Sequence, residues 1–152
     1  MIARIVGICA AILGLVLIAG CGGPLQMADP ARAAQAKTFA TNAERANVYV
    51  YRNEILGGVV RMAITVDGKE MGLTRGKNYL LLSLEPGQHT LVSQGQAQLA
   101  LKLDVAAGRN YFVWQEVKHT FGTFTYRSLL QLVDEATGRQ GVEECELVAT
   151  SP

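Results

Sequence analysis

Five side chains in this sequence have the intrinsic chemistry of nucleophiles, bases or soft metal ligands: Cys9, Cys21, Cys145, His89 and His119. A thiol hydrolase would pair Cys145 with His89 or His119 as base. The neighbours of Cys145 oppose this, because Glu143, Glu144 and Glu146 flank it and nearby carboxylates raise a thiol's pKa. The sequence therefore favours Cys145 as a buried core residue. Zinc is no better served, since the cysteines and histidines show neither C-x-x-C nor H-E-x-x-H spacing. His89 follows a Pro-Gly pair, a place where a ring usually makes a local hydrogen bond. The carboxylates Asp134-Glu135 and Glu143-Glu144 are adjacent in sequence and read as solvated charges. There is no G-x-S-x-G and no phosphate-cradling glycine loop. The expectation is a chain without a catalytic or metal site, and not an enzyme.

Cys21 belongs to a different chemistry. Met1–Arg4 carries one positive charge, and Ile5–Ile18 is an uncharged, largely aliphatic run of 14 residues. That length suits a secretory h-region and falls short of the roughly 20 residues that cross a bilayer as a helix. It ends in Ile18-Ala19-Gly20-Cys21, which resembles the lipobox of bacterial lipoprotein precursors. The resemblance implies a signal peptide over 1–20, cleavage before Cys21, and a thioether-linked diacylglycerol with an N-acyl chain on that cysteine. One acyl chain binds a membrane only reversibly, whereas two or three make a lasting anchor. No other cofactor is expected. Gly22 follows Cys21 where enteric inner-membrane lipoproteins carry Asp. The expected address is thus the outer membrane, facing the periplasm. With Cys9 discarded and Cys21 lipidated, Cys145 has no disulfide partner within one chain.

The remaining composition constrains partners. Hydrophobic residues make up 49% and charged residues 18% of the chain; the latter is low against the usual ~25%. Of 14 Lys and Arg, Arg4 lies in the leader, which leaves 13 cations against 13 Asp and Glu. A neutral domain without a Lys/Arg run has no electrostatic purchase on nucleic acid. Residues 21–45 hold Gly22, Gly23, Pro24, Pro30 and many alanines but few large apolar side chains. They read as a lipidated N-terminus and flexible tether, with helix-favouring composition over Ala31–Ala40.

From Ala46 the hydrophobic period is two. Val60, Met62, Ile64 and Val66 alternate with smaller or polar residues, as do Leu99, Leu101, Leu103 and Val105. Asn47–Arg52, Asn78–Leu84, His89–Gln94, Asn110–Val117 and Thr125–Val133 read as further strands. Asp67-Gly68 suits a tight hairpin and Pro86-Gly87 a type II turn. These signals predict an all-β fold, a small antiparallel β-sandwich of about seven to eight strands spanning 46–148, with 149–152 as a tail. Thr137-Gly138-Arg139-Gln140 fits a capping box and predicts one short C-terminal helix. Gly138, Gly141, Val142 and Cys145 would share its inner face, and the two glycines weaken it. Arg52, ending an apolar strand, reads as a buried ion-pair partner, with a C-terminal Glu as the expected counter-charge.

Tyr49-Val50-Tyr51-Arg52, Val66-Asp67-Gly68 with Gly72, Tyr79, Pro86-Gly87-Gln88-His89-Thr90-Leu91, Gly108 and Tyr111-Phe112-Val113 together resemble the domain-of-unknown-function family 2846 of bacterial lipoproteins, over Ala46–Val148. The resemblance implies a β fold and an exported location and brings no catalytic residues. The functional expectation is a membrane-anchored, non-catalytic binding or accessory module of the cell envelope, with an envelope protein or glycan as partner. Trp114, Phe121 and Phe124 are the candidate contact residues, because the 119–124 loop carries two phenylalanines beside Gly122, and loop-tip aromatics anchor partners or stack on sugars. The alternatives are a glycan-binding module using that loop and the hydrolase built on Cys145.

Overall fold

The computed structural model describes residues 25–55, 58–95, 100–119, 122 and 125–150. Residues 1–20, Cys21, Phe121 and Phe124 lie outside them. The described chain runs α1 (Pro30–Ala36), β1 (Ala46–Arg52), β2 (Met62–Val66), β3 (Lys69–Thr74), β4 (Asn78–Leu84), β5 (Gly87–Ser93), β6 (Ala100–Val105), β7 (Asn110–His119), β8 (Tyr126–Val133), α2 (Glu135–Glu143) and β9 (Glu146–Leu147). The strands form two sheets, ordered β8-β7-β1-β4-β9 and β3-β2-β5-β6. The all-β sandwich with a short C-terminal helix is thus what the chain builds.

Three features differ from the simplest antiparallel picture. Nine strands are present among the described residues, because β3 and the two-residue β9 add to those legible from periodicity. The five-stranded sheet is mixed, with β1 parallel to β7 and β4 parallel to β9. Between β1 and β7 the chain builds β4 on one side of β1 and the entire second sheet, then returns on the other side of β1 as β7. A connection of that length permits parallel pairing.

The third difference lies in what covers the sheet. Val48, Val50, Leu80, Leu82 and Val113 point between the sheets, where they meet Ile64, Val66, Leu91, Leu103 and Val105. Tyr49, Tyr51, Tyr79 and Phe112 point the other way, under a layer containing Ala36, Phe39, Val142 and Cys145. Both faces of the five-stranded sheet are therefore covered. That explains why β1 is buried at six of its seven positions instead of alternating.

Over residues 25–45 the expected flexible tether is not what forms, while residues 21–24 lie outside the described residues. From Leu25 the chain is packed. Ala28 N–H donates to Leu147 O and Ala149 N–H to Gln26 O, both at 2.9 Å. Asp29 caps α1, with Pro30 at its first position. Phe39 lies against Tyr49 and Phe112, with ring centroids 5.4 and 5.8 Å away. Composition misleads here because the segment needs no core of its own: small alanines and one phenylalanine suffice to cover an aromatic face the sheet already supplies.

The C-terminal helix also starts elsewhere than expected. Its N-cap is Asp134, whose carboxylate accepts from Thr137 N–H at 3.0 Å, so no capping box begins at Thr137. Gly138 and Gly141 do face inward with Val142. A Cβ at Gly138 would stand 2.2 Å from Phe112, and one at Gly141 2.1 Å from Tyr51. The glycines let the helix backbone rest directly on two rings, and this packing offsets their poor intrinsic helix propensity.

Candidate functional site

Along β7, Val113, Gln115 and Val117 face the second sheet, whereas Phe112, Trp114 and Glu116 face outward. Trp114 is partly buried and packs against the outer aromatic cluster. It lines a cleft of about 280 Å³ between β7 and α2, with Tyr51, Asn53, Thr137, Gln140 and Glu144. The indole Nε1–H finds no acceptor among the described residues. Glu144 is ion-paired with Lys77 at 2.9 Å, and this contact lowers its pKa. An indole beside neutral amide and hydroxyl groups and one carboxylate can take a ligand that has both an apolar face and hydrogen-bonding edges. Of the three residues singled out from the sequence, Trp114 is placed at a cleft. Phe121 and Phe124 are outside the described residues.

Two further hollows flank α1. One of about 480 Å³ is lined by Arg32, Gln35, Asn42, Asn47, Tyr49 and Leu81. Its inner polar groups already serve the fold: Asn47 Nδ2 donates to Ala40 O and the Tyr49 hydroxyl to Ala36 O. The other, about 400 Å³, is mainly apolar, with Met27, Ala28, Ala33, Ala34, Cys145 and Leu147 in its wall.

The hydrolase dyad is not assembled. Cys145 is 1% exposed, and burial pushes its thiol up to about 11. His89 Nδ1 lies 2.6 Å from Asp67 Oδ2, and its Nε2 lies 2.8 Å from Glu85 O. His119 sits at the end of β7, packed edge-on against Tyr126 at 5.2 Å. Neither ring turns to the thiol. Among the described residues, no group of three or more Cys, His, Asp or Glu converges to hold a metal ion.

The contacts of His89 also explain the turn motifs. Asp67 Oδ1 accepts from Thr90 N–H at 2.8 Å while Oδ2 holds His89. The Thr90 backbone bond contributes most to lowering the Asp67 pKa, followed by the His89 contact. The V-D-G hairpin and the P-G-x-H turn are thus two halves of one clasp.

A buried polar cluster was not legible in the sequence. At the Arg52 end of the sandwich, Gln115 Nε2 donates to Ser93 Oγ at 2.7 Å. Gln115 Oε1 accepts from Thr74 Oγ1, and Ser93 and Ser128 share a 2.7 Å hydrogen bond. Arg52 is wholly buried and donates to Val60 O at 2.7 Å. Its charge partner is Glu54, at 3.6 Å, and not a C-terminal Glu. Desolvation lowers the Arg52 pKa and raises that of Glu54. Glu54 also accepts from Val117 N–H. The only hint in the sequence is that Arg52 and Gln115 occupy inward-facing positions alternating with valines along β1 and β7.

The turn signature has a counterpart among known proteins. The sequence profile of a family described as protein of unknown function, DUF2846, matches residues 42–126. This chain belongs to the DUF2846 family. The match includes the Asp67–His89 clasp and Trp114, and it leaves outside it α1, β8 beyond Tyr126, α2 and β9. No curated protein and no solved structure matches the chain significantly.

Proposed function

We propose that this DUF2846 member is an exported lipoprotein, held by acyl chains on Cys21 at the outer membrane and facing the periplasm. There it acts as a non-catalytic binding or accessory module of the envelope. The observation that carries the reading is the 14-residue apolar run ending in Ile18-Ala19-Gly20-Cys21. It is too short to span a bilayer, and no helix among the described residues is long and apolar enough to do so. Labelled palmitate should enter the protein in its host and be lost in Cys21→Ser. A purified product that still begins at Met1 and carries no lipid refutes the anchor.

The Trp114 cleft is the contact surface this reading assigns, with an envelope protein as partner. Its amide and hydroxyl groups beside an indole also favour a second reading, recognition of a glycan ring. Trp114 is the sole tryptophan of the chain, so its emission reports the cleft without a label. Titration with soluble peptidoglycan fragments should shift that emission and saturate if the glycan reading holds. An unchanged spectrum leaves the protein-partner reading, which requires cross-linking from Gln140 to recover a reproducible envelope protein.

A further inference from the structure

From the packing of residues 25–28 we infer that the β9 flank of the fold is a lipid-facing surface, lying directly on the bilayer that holds the acyl chains of Cys21. The inference rests on the Cys21 anchor proposed above. Leu25, where the described residues begin, touches the inter-sheet core. Residues 26–28 are locked to β9 and its continuation by the Ala28–Leu147 and Ala149–Gln26 backbone bonds and the Met27–Val148 bridge. Four residue steps separate Cys21 from Leu25. At the full extension of a chain, ~3.3–3.6 Å per residue, they reach no further than about 14 Å. A free tether running to residue 45 would leave the domain's orientation open; a leash this short does not.

The side that the leash presents to the bilayer is suited to it. β9 is the edge strand of the five-stranded sheet. Between it and α1 runs the mainly apolar hollow of about 400 Å³, walled by Met27, Ala28, Ala33 and Leu147 together with the charged Lys37 and Glu146. The exposed Arg32 of α1 stands at the same flank, with its guanidinium on Thr150 Oγ1 at 3.4 Å, where a cation meets phosphate headgroups. β8 is the opposite edge, four strands across. At ~4.8 Å per strand it stands about 19 Å further out. Trp114, on the neighbouring β7, therefore stands three strands from the lipid-facing edge, with its side chain in the cleft under α2.

The test uses two samples on supported bilayers of phosphatidylethanolamine and phosphatidylglycerol. One is the lipoprotein purified from its membrane. The other is unlipidated protein of residues 21–152, coupled through the Cys21 thiol to a maleimide lipid; buried Cys145 does not compete. Neutron reflectometry should place protein density within about 14 Å of the headgroups. A twenty-residue Gly/Ser insertion between Gly23 and Pro24 should open a hydrated layer of about 25 Å. Hydrogen exchange should slow on anchoring over 25–34 and 145–150 and stay unchanged over 126–133. A hydrated layer as wide without the insertion as with it overturns the inference, as does slowing over 126–133 in place of 25–34. If the cell-made protein carries no lipid yet the coupled protein lies on its β9 flank, the anchor is refuted and the surface stands.

Discussion

Gly138 and Gly141 show how far a single position can depend on its tertiary neighbours. In an isolated helix either glycine costs about 1 kcal/mol against alanine. Here an added Cβ would stand within 2.2 Å of a ring atom of Phe112 or Tyr51. Gly138→Ala and Gly141→Ala should each destabilise the protein by about 1–3 kcal/mol, the usual range for overpacking, where propensity alone predicts a gain. Urea unfolding followed by circular dichroism reads the sign directly. The Cys145 thiol supplies a pH-dependent case. Its pKa is raised by burial to about 11, from an ordinary value near 9. The folded state thus holds a proton that the unfolded state releases, and stability falls as pH rises from about 9 to about 11. Cys145→Ala should flatten that alkaline loss, and the native thiol should resist a thiol reagent at pH 8 until denaturant is added.

At the scale of elements, two polar assemblies join strands that periodicity treats as separate. Asp67 ties the β2–β3 hairpin to the start of β5 through Thr90 and His89. Asp67→Asn keeps a residue that tolerates the positive φ of this turn but removes the charge. The loss should be about 1 kcal/mol at neutral pH, moderated by the solvent exposure of the side chain. Because the folded-state pKa of Asp67 is lowered, its contribution is present above the ordinary carboxylate range and is lost as pH falls through the lowered value. Stabilities of the wild type and Asp67→Asn should therefore converge in acid. The Gln115 cluster spans both sheets, and Gln115→Ala removes its bonds to Thr74 and Ser93, leaving Thr74 only Met62 O and Ser93 only Ser128 as partners. About 2–3 kcal/mol should be lost, measurable as a lower urea midpoint with an unchanged slope.

These assemblies also mark where sequence reading stops. The strands β1, β4 and β7 are legible because apolar residues repeat along them, and the Asp67-Gly68 turn because both residues must take positive φ, 51° and 83°. That Asp67 reaches His89 is invisible until register aligns β2 with β5. Gln115 reads as one polar residue in an apolar strand, and its three partners lie 13 to 41 positions away.

For the molecule as a whole, the N-terminal segment decides the boundary of the fold. Phe39 and Ala36 cover Tyr49, Tyr79 and Phe112. Phe39→Ala should cost about 3 kcal/mol, within the usual range for deleting a core aromatic. A protein shortened to begin at Asn42 should expose that aromatic face, bind a hydrophobic dye and aggregate; one beginning at Leu25 should not.

The sequence alone was enough for the β class, most strands, the Asp67-Gly68 turn, the family resemblance and the expectation of lipidation at Cys21, whereas Gly87, expected in a type II turn, opens β5 with φ 132°. Each rests on neighbours a few positions apart: alternation along a strand, backbone freedom at a turn, small residues before a cysteine. Only the tertiary structure decided that residues 25–40 belong to the body, that glycines strengthen α2, that Arg52 pairs with Glu54, and that Trp114 borders a cleft. Those outcomes depend on which surfaces meet across long stretches of chain, and an alanine-rich segment does not itself disclose the aromatic face waiting to be covered.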